Sequence, residues 1–86
     1  MITIITREGV AKMKLVEVLP GQAFVITAIQ DDFARLQAIR FGIAEGAKAV
    51  IQNVLPGGPV VVRKGKQEMA LGRNLADRIQ VQPVEA

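Results

Sequence analysis

Short apolar runs recur along most of the chain, and glycine and proline separate them. The clearest case is the corner Leu55-Pro56-Gly57-Gly58-Pro59, followed at once by Val60-Val61-Val62-Arg63. Two prolines around two glycines make a rigid turn with room for a positive φ, and the β-branched run after it reads as a strand. Lys64-Gly65-Lys66 supplies the next turn, and Gln67 to Leu71 reads as the return strand of a hairpin. Corner and hairpin together form the centre of the predicted domain.

The remaining elements follow from the same alternation. Leu15-Val16-Glu17-Val18-Leu19 leads into Pro20-Gly21, a type II turn signature. Ala23 to Ile29 is apolar on both faces, with Phe24, Ile26 and Ala28 on one and Val25 and Ile29 beside Thr27 on the other. Asp31 is placed to cap a helix over Asp32 to Phe41, and Gly42 to end it as a left-handed residue. Phe33, Leu36 and Ile39, with Ala38 and Phe41 nearby, give that helix an apolar stripe, while Arg35, Gln37 and Arg40 lie off it. Ala47 to Val54 reads as a strand with Lys48, Val50, Gln52 and Val54 on one side and Ala49 and Ile51 on the other. Gly72 to Arg78 is one helical turn that plugs a barrel through Leu75 and Ala76. Ile79 to Val84 closes the sheet with Ile79 and Val81 inward and Gln80 and Gln82 outward.

The pattern therefore predicts a mainly β fold with short helices. It is a small SH3-like β-barrel of about five strands, with one helix between the first and second barrel strands and one short helical turn before the last strand. Residues 15–86 make up this domain; residues 1–14 form an N-terminal extension in which Ile2, Ile4 and Ile5 suit a short edge strand.

The order and spacing of several pieces resemble the FeoA domain, ferrous iron transport protein A. They are the helix end at Phe41-Gly42-Ile43, then Glu45-Gly46-Ala47, and the run Gln52 to Val62 through the double-proline corner. Ala70-Leu71-Gly72-Arg73-Asn74-Leu75-Ala76 and Ile79-Gln80-Val81 complete the match, which extends from about Leu15 to Val84. The chain departs from the family at Glu45, where many relatives carry proline, and residues 1–12 have no counterpart. The resemblance implies an SH3-like fold. It also implies a cytoplasmic accessory of ferrous-iron uptake that docks on the membrane transporter FeoB, whose cytoplasmic portion carries a GTPase domain. On that reading the protein reaches the membrane only through its partner and associates with divalent transition metal weakly, if it meets metal at all. Two alternatives stand beside it: the similar SH3-like domain at the end of metal-dependent repressors, and a small RNA-binding barrel. No helix-turn-helix pattern precedes the barrel pattern, which speaks against a complete repressor.

Composition narrows the choice. Eighty-six residues build a single core. With three phenylalanines and no tryptophan or tyrosine, that core must be filled by Val, Ile, Leu and Ala, and bases would find few rings to stack on. The absence of cysteine removes disulfides and thiolate metal sites and fits the cytoplasm. No apolar run reaches the ~20 residues that span a bilayer, and the first six residues lack the basic start of a signal peptide. A net charge of +3, from basic residues spread along the chain, makes a weak electrostatic case for nucleic acid and suits solubility or an acidic partner surface.

Catalytic residue types are scarce. Without histidine, cysteine or tyrosine, the common general base, metal ligands and strong nucleophiles are missing, so no enzymatic activity and no cofactor are expected. Asp31 and Asp32 read as helix-capping residues; a carboxylate metal site would have to draw on them and Glu45, or be shared between subunits. Gly57-Gly58 lacks the Gly-Lys-Ser/Thr and the helix of a phosphate loop. Arg63, Lys64 and Lys66 keep a hairpin tip soluble, and Arg73 is a candidate functional contact. The strongest candidate surface is the helix stripe. One small barrel cannot cover Phe33, Leu36, Ile39 and Phe41 together, so part of the stripe, flanked by Arg35 and Arg40, is expected to face a partner, either the transporter or a second copy of the chain.

Overall fold

The computed structural model describes residues 13–85. The proposed Ile2–Ile5 edge strand lies outside them. The chain forms β1 (Met13–Lys14), a 3₁₀ turn (Leu15–Glu17), β2 (Ala23–Ile29), α1 (Asp32–Arg40), β3 (Lys48–Val54), β4 (Val60–Lys64), β5 (Gln67–Leu71), α2 (Arg73–Ala76) and β6 (Ile79–Val84). All six strands join one antiparallel sheet in the order β1-β6-β2-β3-β4-β5. The sixth strand, beyond the five expected, is β1, whose two residues pair with Val81 and Gln80 and are too few to show a periodicity.

The sheet curls around a single core, to which β2 gives Phe24, Ile26 and Ile29, β3 Ala49 and Ile51, β4 Val60 and Val62, β5 Leu71 and β6 Ile79 and Val81. Leu75 and Ala76 of α2 enter the same core and plug the barrel as expected, at 6% and 0% exposure. Burial of this many aliphatic side chains is the main stabilising term, at roughly 25 cal/mol per Å² removed from water.

Strict alternation misplaces three side chains, Ala28, Ile29 and Val54, and one device explains them all. In β2 the pairing moves from Ile26↔Val81 to Ala28↔Gln80, so Thr27 is an extra residue, a β-bulge. Parity flips there, and Ile29 turns inward with Phe24 and Ile26 instead of outward with Val25. In β3 a bulge at Gln52, between Ile51↔Val62 and Asn53↔Val61, likewise turns Val54 toward the core opposite Val60. Bulges bend and twist a strand, and two of them on neighbouring central strands help so small a sheet to curl.

The corner before β4 closes through its own backbone, with the Gly58 N–H donating to the Leu55 carbonyl at 2.9 Å and the Leu55 N–H to the Pro59 carbonyl at 3.2 Å. Gly57, at φ +67°, occupies the left-handed position that the turn demands.

Candidate protein-docking face

α1 is set on the barrel by its ends and by two alanines. The Asp31 carboxylate accepts the Ala34 N–H at 2.8 Å as the N-cap and also binds the Arg78 guanidinium from the turn after α2. At the other end the helix stops at Arg40, one residue short of the expected Phe41, which becomes the C-cap; Gly42 follows at φ +79°. Ala34 and Ala38, one turn apart, are the helix's buried residues. Small side chains let the helix axis approach the sheet closely, which leaves the larger residues pointing away.

Consequently the whole apolar stripe faces solvent: Phe33 is 71% exposed, Leu36 52%, Ile39 53% and Phe41 40%. The barrel leaves all four substantially exposed, most at Phe33 and least at Phe41. The flank toward α2 is grooved. A cleft of about 80 Å³ lies between Phe33, Ala34 and Gln37 of α1 and Asn74, Leu75 and Arg78, and a shallower one of about 260 Å³ is lined by Gln37, Arg40 and Phe41.

The charges around this face are mostly matched within the chain. Arg35 binds Asp32 at 2.7 Å and Glu45 at 3.3 Å and donates to the Ile29 carbonyl at 3.1 Å, tying α1 to the end of β2. The carboxylate of Glu45 thus serves to hold Arg35. Burial pulls its acidity toward the neutral form, but its own backbone N–H and Arg35 outweigh this and hold it below the usual range. Asp31 is likewise held below the usual range, by the Ala34 N–H first and Arg78 second. Arg40 is exposed and makes no ion pair among the described residues.

Arg73 sits elsewhere. From the first turn of α2 its Nε donates to the Gly58 carbonyl at 3.1 Å and an Nη to the Leu55 carbonyl at 3.0 Å, so it staples the proline corner. Arg63, Lys64 and Lys66 are exposed at the β4–β5 tip. Asp31, Asp32 and Glu45 each hold an arginine, and among the described residues no three carboxylates gather as a metal cage. Sequence reading singles out neither Ala34 nor Arg78 and puts Ala38 beside the stripe, whereas the structure buries Ala38 away from it; the i, i+4 alanine pair is the available signal for the packing face. Among the described residues no helix is long and apolar enough to cross a membrane.

The FeoA domain model matches residues 13–83. A crystal structure of an iron uptake regulatory protein (FeoA) is similar at TM-score 0.80 and 27% identity, over 86% of this chain and 100% of that one. The solution structure of FeoA from Chlorobium tepidum is similar at TM-score 0.73 and 25% identity, over 85% and 71% of the two chains. A manganese-dependent transcriptional repressor shares the fold at TM-score 0.78 but only 16% identity, and the match spans 93% of this chain and 48% of the repressor. A search of curated proteins finds none that matches the chain.

Proposed function

The chain belongs to the FeoA domain family, and from that membership we propose that it is a small cytoplasmic accessory protein of ferrous-iron uptake that binds the cytoplasmic portion of the transporter FeoB and modulates it. The observation that carries this reading is the family match over residues 13–83, nearly all of the described domain. The chemistry fits this reading: the chain has no histidine, cysteine or tyrosine, residue types that commonly supply a general base or nucleophile. The exposed Arg63, Lys64 and Lys66 tip offers a positive surface that an acidic partner would meet. The likeness to the manganese-dependent repressor, at 16% identity, speaks to fold alone.

The test is capture of the transporter's purified cytoplasmic portion by the full chain, with GDP, with a GTP analogue and without nucleotide. Saturable binding that changes with nucleotide, and that weakens when Arg63, Lys64 and Lys66 are all replaced by Glu, supports the proposal. Absence of binding in all three conditions overturns it.

A further inference from the structure

We propose that α1 is the contact helix of a two-fold homodimer in which Leu36 meets its own copy and Phe33 of each chain stacks on Arg40 of the other. Ala34 and Ala38 face the barrel, and Leu36 is two residues from each. At 100° per residue it lies about 200° round the helix from both, and so marks the centre line of the outward face. Phe33, three residues earlier, and Arg40, four later, fall on one flank of that line, about 60° and 40° from it. Asp32 and Ile39 fall on the other flank by the same count. Two such helices packed antiparallel about a two-fold axis bring each flank against itself, reversed end for end. The Phe33 ring at the start of one helix then meets the Arg40 guanidinium at the end of the other, twice per dimer. Leu36 packs on Leu36 at the centre.

Charge selects a second copy over an acidic partner. Asp31 is matched by Arg78, and Asp32 and Glu45 by Arg35, so among the described residues Arg40 is the one cation near the stripe without an ion pair. A partner rich in carboxylates would meet one free charge. The face is instead apolar, close to neutral and complementary to itself, because the 71% exposed Phe33 ring is the kind of surface on which a guanidinium rests. The nine-residue helix is roughly 13 Å long and buries less than the ~1,200 Å² of a standard stable interface, so the dimer belongs to the weak, transient class.

Sedimentation velocity on the full chain from about 10 μM to about 1 mM tests this, a range that reaches the concentrations at which weak, transient contacts fill. The wild-type protein should move from monomer to dimer. Leu36→Glu and Leu36→Lys, at a half-exposed position, should each stay monomeric with wild-type melting behaviour, and their equimolar mixture should recover the dimer, because a residue on the axis faces itself. Phe33→Ala and Arg40→Ala should each weaken association about tenfold, with the double variant little worse than either. A wild-type chain monomeric throughout, a Leu36→Glu variant that dimerises normally, or a mixture that fails to associate each overturns the proposal. So does a monomeric wild type whose Leu36→Glu variant loses capture of the transporter portion, which would assign the face to that partner.

Discussion

The guanidinium of Arg73 donates to the carbonyl oxygen of Gly58 at 3.1 Å, across a chain separation of 15 residues. With its second bond to the Leu55 carbonyl, it joins the plug turn to the proline corner that launches β4. Hydrogen bonds from a charged donor are worth about 1.5–3 kcal/mol, so Arg73→Ala should lower stability by that order, a drop of roughly 4–8 °C in Tm per kcal/mol for a domain of this size. Arg73→Lys should recover only part, since an ammonium does not reproduce the fork that spans two carbonyls. Urea denaturation checks both. A variant as stable as wild type would show that the corner holds without the staple.

The alanine-lined seat of α1 predicts an inverted sensitivity. Phe33→Ser, Leu36→Ser and Ile39→Ser should each change stability by no more than about 0.5 kcal/mol, because these side chains are at least half exposed. Ala38→Leu adds three heavy atoms at a fully buried contact and should cost about 1–3 kcal/mol by lifting the helix from the sheet. Thermal melts of the four variants decide the matter, and large losses in the serine variants would mean that the stripe is core.

Asp31 ties stability to pH. Its carboxylate is held below the ordinary aspartate value of 3.8, chiefly by the Ala34 N–H and then by Arg78. A group whose pKa is lower in the folded than in the unfolded state contributes stability that is complete above the unfolded value and is lost as pH falls through the folded one. Asp31→Asn keeps a side chain suited to capping but cannot ionise. The Tm gap between wild type and Asp31→Asn should therefore be widest above about pH 5 and shrink below about pH 4, with Glu45 acting in the same direction in both proteins. A gap that does not change with pH would show that the charge contributes nothing.

Much of this architecture is legible in the chain because local chemistry and tertiary role agree. The proline–glycine corner, the Lys64–Lys66 turn, the Asp31 cap and Gly42 stop, and the Leu75–Ala76 plug all stand where turn preference and capping place them. The exposed apolar face of α1 was legible only as a surplus of apolar residues. Which side of α1 packs was not, because hydrophobicity ranks Phe33 and Leu36 above Ala34 and Ala38, whereas close helix–sheet approach selects for small volume. Arg73 appeared as a functional candidate because a lone arginine after a strand carries no mark of the carbonyls it will reach 15 residues away. The bulges at Thr27 and Gln52 left no signal in a period-two reading, since an extra residue is visible only against the strand it pairs with.

The β2 bulge makes the sharpest contrast between pattern and structure testable on two neighbouring positions. Unbroken alternation puts Val25 and Ile29 on one face, and so predicts similar costs for truncating either. The bulge at Thr27 separates them: Val25 is half-buried, whereas Ile29 is 3% exposed and sits opposite Ile79, itself fully buried. Ile29→Ala should therefore open a cavity in the core and cost about 2–5 kcal/mol, a large part of the roughly 5–15 kcal/mol available to a natural domain. Val25→Ala should cost about 1 kcal/mol. The measurement is a pair of urea midpoints at matched m-values, so that a change in denatured-state compactness is not mistaken for a change in packing. Equal losses at the two positions would restore the unbroken strand and remove the bulge as the device that turns Ile29 into the core.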